Sequence, residues 1–204
     1  MPEKALARSG PHHLLVLSGT DPRTDTYFVD YETVAGGMGA RATRDGMDGV
    51  RVHASGASNL PVEALEHAYP LRIERYALWE NSAGAGRHRG GLGVVRDYRI
   101  LGDDMLVSLS SERQHVAAQG MCGGLPGAPG AFVVNPGEPG EQKLPSAAAD
   151  VPLPRGCVVS IRTPGGGGFG EAIRRDPQMI EQDVREARVS VEQAKEVYRW
   201  HTPA

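Results

Sequence analysis

Apolar and polar residues alternate through LRIERYALWE at 71–80. Leu71, Ile73, Arg75, Ala77 and Trp79 share one face, and Arg72, Glu74, Tyr76, Leu78 and Glu80 the other, the period of two that predicts a half-buried strand. GVVRDYRIL at 93–101 and LVSLSSER at 106–113 predict two more, and the aromatic and β-branched TYFVDYETV at 26–34 a fourth. Shorter runs at 131–134 and 157–162 complete the set. Helical signals are fewer. PVEALEHAY at 61–69 opens with a proline that suits a first turn. Beyond Gly170 the pattern changes: Asp176-Pro177 reads as N-cap and N1 of a helix with Ile180, Val184 and Ala187 on one stripe. Ser190-x-x-Gln193 reads as a capping box opening another, with Val191, Ala194 and Val197 inward. Because helices do not alternate with strands, a doubly wound parallel sheet is disfavoured. The pattern predicts an α+β, β-rich chain of short, mostly antiparallel strands joined by Gly-rich loops and finished by two C-terminal helices.

Three segments follow. Residues 1–24, mixing Pro, Gly, His and Asp-Pro, predict an extended or poorly ordered leading stretch; 25–170 form the β-rich module and 171–204 a helical segment. The 27 glycines and 15 prolines of the 204 residues favour many turns, and the loop at 36–49 predicts special backbone angles. Leu, Ile, Val and Phe make up only about a fifth of the chain, at the edge of what sustains a core. A net charge of −3 is too small for the disordered signature, so the chain reads as folded but core-poor, a composition that leaves a role for a partner surface. Charged residues crowd 171–200, and a solvated helical face explains them more simply than docking on another subunit does.

Several chemistries are disfavoured. Gly165, Gly167 and Gly170 satisfy G-x-G-x-x-G after a strand, yet no second strand follows to carry the acidic residue that a dinucleotide site needs. Walker A fails too, since Glu171 and Ala172 stand after Gly170. A backbone crossing, with glycine supplying positive φ and close approach, accounts for the run. The mixed charge gives no polyanion footprint, so no nucleic-acid partner is expected. Cys122 and Cys157 lack C-x-x-C spacing and read as buried thiols in a reducing compartment. No stretch is long enough to span a bilayer, and no cleavable signal opens the chain; no membrane partner is expected and the expected location is cytoplasmic.

The histidines are scattered, so no metal site made by this chain alone is expected. Asp45 and Asp48 flank Gly46-Met47 without the oxygen-ligand pattern of a calcium loop, and read as turn residues. VHASGASNLP at 52–61 gathers His53, Ser55, Ser58 and Asn59 in one turn-rich run. SSER at 110–113 ends a strand with an arginine able to clamp a carboxylate or phosphate.

The order of SGTDPRT, YETVAGGMGARATRDGMDGVRVH, NLPVEALEHAYPLRIERYALWENSAGAGRHRGGLGVVRDYRIL, SSER, GGLPGAPG and IRTPGGGGFGEAIRRDPQMIEQDVREARVSVEQAKEVY resembles the C-terminal part of the hydantoinase B / 5-oxoprolinase family. The resemblance spans about Ser18 to Tyr198 and makes TPGGGGFG a terminal glycine turn. It implies a module or split subunit of an ATP-dependent enzyme that opens small cyclic amides such as 5-oxoproline and N-methylhydantoin. That module is not expected to be active as this chain alone. The resemblance also implies a hydantoinase A-type ATP-binding subunit and an N-terminal hydantoinase B part as partners. ATP and a divalent metal belong to the complete enzyme, with no cofactor in this chain. Within that reading His53 is the candidate proton relay and Arg113 the candidate for steadying developing negative charge; Ser55 and Asn59 are the candidate substrate-binding residues. Family members carry an H-x-T-N-T-x-N-T-P-V-E run, of which His53, Asn59, Pro61, Val62 and Glu63 stand here, with Ser55, Gly56, Ala57 and Leu60 replacing donors and acceptors. The alternatives are a non-catalytic interaction or relic module and a subunit of a related ketone carboxylase.

Overall fold

A computed structural model describes residues 5–52 and 58–201. Nine strands and three α-helices are assigned among the described residues: β1 (His13–Asp21), β2 (Thr26–Val34), α1 (Val62–Ala68), β3 (Leu71–Leu78), β4 (Val94–Ile100), β5 (Met105–Ser110), β6 (Ala131–Val134), β7 (Gln142–Leu144), β8 (Ala147–Leu153), β9 (Val158–Arg162), α2 (Pro177–Arg185) and α3 (Val191–Tyr198). The strands form a four-stranded sheet, β2-β1-β5-β8, and a five-stranded sheet, β3-β4-β9-β6-β7. Every strand pair is antiparallel. The fold is α+β and β-rich, with two of its helices C-terminal.

Alternation explains how the sheets meet. Leu15 and Leu17 of β1, Val107 and Leu109 of β5, Tyr98 and Ile100 of β4, Phe132 of β6 and Ile161 of β9 join one buried cluster. The inward faces of both sheets therefore share a core.

The stretch 1–24 is not merely extended, since it contributes β1, flanked by β2 and β5. HLLVLSGTD alternates between buried and partly exposed positions, a signal obscured by the Pro, Gly and His around it. β8 also escaped the pattern, because Pro152 lies within it; as the last strand of its sheet it loses no ladder bond that an inner strand would need. In β3 only Leu71 is fully buried, not the whole face on which it lies. β3 is an edge strand, and a bulge between Ile73 and Arg75 shifts its register. Cys157 is buried as expected but Cys122 is exposed, on a turn with φ +52.

The glycine run has its own geometry. The amides of Gly165 and Gly168 donate to the carbonyls of Ala128 and Leu125, and the amides of Gly37 and Ala40 donate to the carbonyls of Pro164 and Gly167. Partners recur every three residues. Between them, Gly166 and Gly167 donate to Gly91 and Arg8, so bonds leave the run in several directions. That repeat belongs to extended, polyproline-like segments packed side by side rather than to a ladder of period two. A Cβ on Gly166 would stand 2.2 Å from the Met38 carbonyl oxygen. Close approach, not positive φ, is what demands glycine at 165–168, and in the 36–49 loop only Gly49 takes a left-handed φ, at +53.

Buried ion pairs fasten α2 to this region. Arg175 donates to Asp45 at 2.7 and 2.9 Å and to Asp183 of α2 at 2.7 Å, while Arg89 reaches Asp48 at 2.9 Å and Asp183 at 3.3 Å. Asp45 and Asp48 are thus ion-pair partners as well as loop residues. Burial is the largest single influence on Asp45 and works against its charged form, but the hydrogen bonds and charges of Arg175 and Arg89 together outweigh it and hold the carboxyl below its usual range. Ser190 caps α3 by accepting from the Gln193 amide at 3.2 Å, and its own amide donates to Asn81 at 2.8 Å.

Candidate functional site

Two carboxylates face inward from β2. Residues two apart on a strand share a face, so Asp30 and Glu32 point the same way as Val34, away from Tyr27, Val29 and Tyr31. Arg96 and Tyr98 bear the same relationship on β4. Glu32 accepts from Arg96 at 3.0 Å through Oε1 and from Tyr98 at 2.7 Å through Oε2. The guanidinium of Arg96 lies over the rings of Tyr76 and Tyr98, 4.7 and 5.1 Å from their centroids. Those ring faces help offset the burial of a cation with no exposed surface.

Asp30 is 4% exposed, and its Oδ2 has no hydrogen-bond partner among the described residues. Burial, then the neighbouring charge of Glu32, push its carboxyl up to about 7 against the opposing pull of Arg96. A carboxyl held there is partly protonated near neutral pH, the balance that suits a general acid or base. Tyr69 is raised by burial and by the charges of Asp30 and Glu32.

These groups border a cavity of about 520 Å³ that Asp30, Glu32, Arg51, Asn59 and Tyr69 help to line, a volume suited to a small molecule. Arg51 donates to Asn59 Oδ1 at 2.9 Å and to the Thr33 carbonyl, and Asn59 donates onward to the Tyr76 hydroxyl. A polar chain thus runs from the cavity rim to the ring beneath Arg96. Arg51 Nε has no partner among the described residues.

Of the residues singled out in the sequence, Ser58 and Asn59 line this cavity. Arg113 lines a separate cleft beyond β5, which shares no lining residue with it. His53 and Ser55 lie outside the described residues. Asp30, Glu32, Arg96 and Tyr98 were missed. Their signal was the strand alternation itself, which in YFVDYETV puts two carboxylates on the face of Val34.

The glycine run does not fit a nucleotide phosphate. Gly165–Gly168 are enclosed by neighbouring backbone, which leaves no cradle for a phosphate. Among the described residues no group of three His, Cys, Asp or Glu side chains is placed to hold a metal ion. No described helix is long and apolar enough to cross a membrane.

The sequence model of the family described as Hydantoinase B/oxoprolinase matches residues 1–172. The B component of a putative D-/L-hydantoinase from Pseudomonas sp. is 30% identical over 199 residues, covering 94% of this chain and 33% of that protein. Among solved structures, the nucleotide-free acetone carboxylase superposes with a TM-score of 0.80 at 21% identity, over 97% of this chain and 30% of the other. The ATP-dependent caprolactamase of Pseudomonas jessenii superposes with a TM-score of 0.76 at 25% identity, over 97% and 35%. The chain spans about a third of the length of these relatives.

Proposed function

Because the chain belongs to the hydantoinase B/oxoprolinase family, we propose that it serves as one module of an ATP-dependent enzyme that hydrolyses cyclic amides. The observation that carries this reading is the near-neutral, buried carboxyl of Asp30 in the lining of a small-molecule cavity that Arg51 and Asn59 also line. A ring amide presents its N–H and C=O on the same side, so it needs an acceptor and a donor in one cavity. Asp30 supplies the first and Arg51 the second.

Ring opening adds water across the C–N bond: oxygen joins the carbonyl carbon, the bond to nitrogen breaks, and nitrogen gains a proton. Asp30 accepts the hydrogen bond of the ring N–H when ionised and donates to the departing nitrogen when protonated. Arg51 donates to the carbonyl or to a ring substituent, held by Asn59. Arg96 and Tyr98 hold Glu32 in place, and its charge keeps Asp30 basic enough for the exchange. Nucleotide and metal chemistry are assigned to an A-type subunit and to the remainder of a B-type chain, and no step here runs through them.

The test is reconstitution of the full chain with those two parts, followed by ATP hydrolysis with and without 5-oxoproline or a hydantoin. The reading expects a complex in which the cyclic amide stimulates hydrolysis only when this chain is present. A stable chain that neither joins the complex nor alters hydrolysis contradicts it. A non-catalytic interaction module is the second reading, favoured by Tyr27, Val29 and Tyr31, which stand exposed along one face of edge strand β2; it expects a complex that ignores changes at Asp30.

A further inference from the structure

The cleft beyond β5 has a chemistry of its own. Ser111, Glu112, Arg113, Gln114, His115 and Ser146 help line about 390 Å³. Arg113 takes a left-handed φ of +62, an uncommon and strained conformation for a residue with a side chain. The surrounding structure holds it there. The Glu112 carbonyl faces His13 Nε2 at 3.3 Å, and the Arg113 carbonyl accepts from the Gly130 amide at 3.0 Å. His13 is fully buried against Phe132, 5.0 Å between ring centroids. The turn is anchored by β1 and by the residue that precedes β6.

Two adjacent side chains on this anchored turn carry buried donors with no acceptor among the described residues: Arg113 Nε and Gln114 Nε2. A buried donor left unpaired is costly, more so when charged. Both residues line the cleft, so an acceptor-rich group bound there is the partner these donors lack. Glu112 is exposed, so its charge is screened by water and salt.

We propose that this cleft is an oxyanion site in which Arg113 and Gln114 donate to a carboxylate or phosphate group. Arginine suits that task because its planar fork matches such oxygens. Gln114 adds a neutral donor that fixes orientation.

The experiment titrates the full chain separately with inorganic phosphate and with acetate, at constant ionic strength maintained with chloride, while following the Arg113 Nε–H and Gln114 side-chain amide resonances. The proposal expects a saturable shift of both with at least one anion. Saturation by acetate alone identifies a carboxylate source and by phosphate alone a phosphate source. R113K keeps the charge but loses the fork, and Q114L removes the neutral donor; each is expected to weaken binding about tenfold or more. Shifts that grow linearly without saturation, or affinities unchanged in both variants, overturn the proposal.

Discussion

Tyr98 of β4 donates to Glu32 of β2 at 2.7 Å, so a phenol from one sheet and a carboxylate from the other are hydrogen-bonded through the shared core. Arg96 completes the link at 3.0 Å on the second carboxylate oxygen. The contact binds the two sheets and shapes the cavity at the same time.

Removing Glu32 strands Arg96, which has no exposed surface. E32A is expected to destabilise by about 3–5 kcal/mol, because it leaves a buried charge uncompensated. Y98F removes one donor and leaves the charge pair, so it is expected to cost about 1–3 kcal/mol. Urea unfolding of the three proteins checks the order, and a Y98F cost equal to that of E32A contradicts it.

Asp30 is expected to titrate near neutrality. Its carboxyl carbon resonance should show a midpoint near 7, far above the ordinary aspartate value of about 4. With the folded value above the unfolded one, the folded state holds the proton more tightly. Asp30's contribution is therefore most favourable below about pH 4 and is lost as pH rises toward 7. D30N is expected to flatten that part of the stability curve and to melt above the wild type at pH 8. A wild-type midpoint near 4, or a D30N curve parallel to the wild type, contradicts the assignment.

Gly166 is expected to tolerate no side chain, since an added Cβ meets the Met38 carbonyl oxygen at 2.2 Å. G166A should unfold the chain or cost several kcal/mol, by analogy with overpacked cores. Gly140 is the control: an added Cβ there finds its nearest neighbour at 3.9 Å, and G140A is expected to change stability by less than about 0.5 kcal/mol. Thermal unfolding of both variants separates close packing from a general intolerance of alanine.

Much of the fold was legible where aromatic, β-branched and other apolar residues gather in short runs. β2, β4 and β5 announce themselves in TYFVDYETV, VVRDYRI and LVSLS, and Asp176 and Ser190 mark the starts of α2 and α3. β1 was hidden because its flanks are rich in Pro, Gly and His, and β8 because Pro152 reads as a breaker until its edge position is known. The glycine region was harder. Its three-residue repeat becomes visible only when segments as distant as Arg8, Gly37, Gly91 and Leu125 meet the run at 164–168. The site was only partly legible for a similar reason. Asn59 drew attention as a turn residue. Asp30 and Arg96 looked like ordinary strand charges, and only the packing of one sheet on the other places Glu32 against Arg96 and leaves the Asp30 carboxyl raised to about 7.

The most direct measurement is the pH profile of cyclic-amide turnover by the reconstituted enzyme, carrying either the wild-type chain or D30N. The account predicts a limb with a midpoint near 7 in the wild type, which disappears in D30N as turnover falls by about 10²-fold or more, the scale of a lost general acid or base. D30N turnover at the wild-type rate, with the same profile, would remove Asp30 from the chemistry and the cavity from the active site.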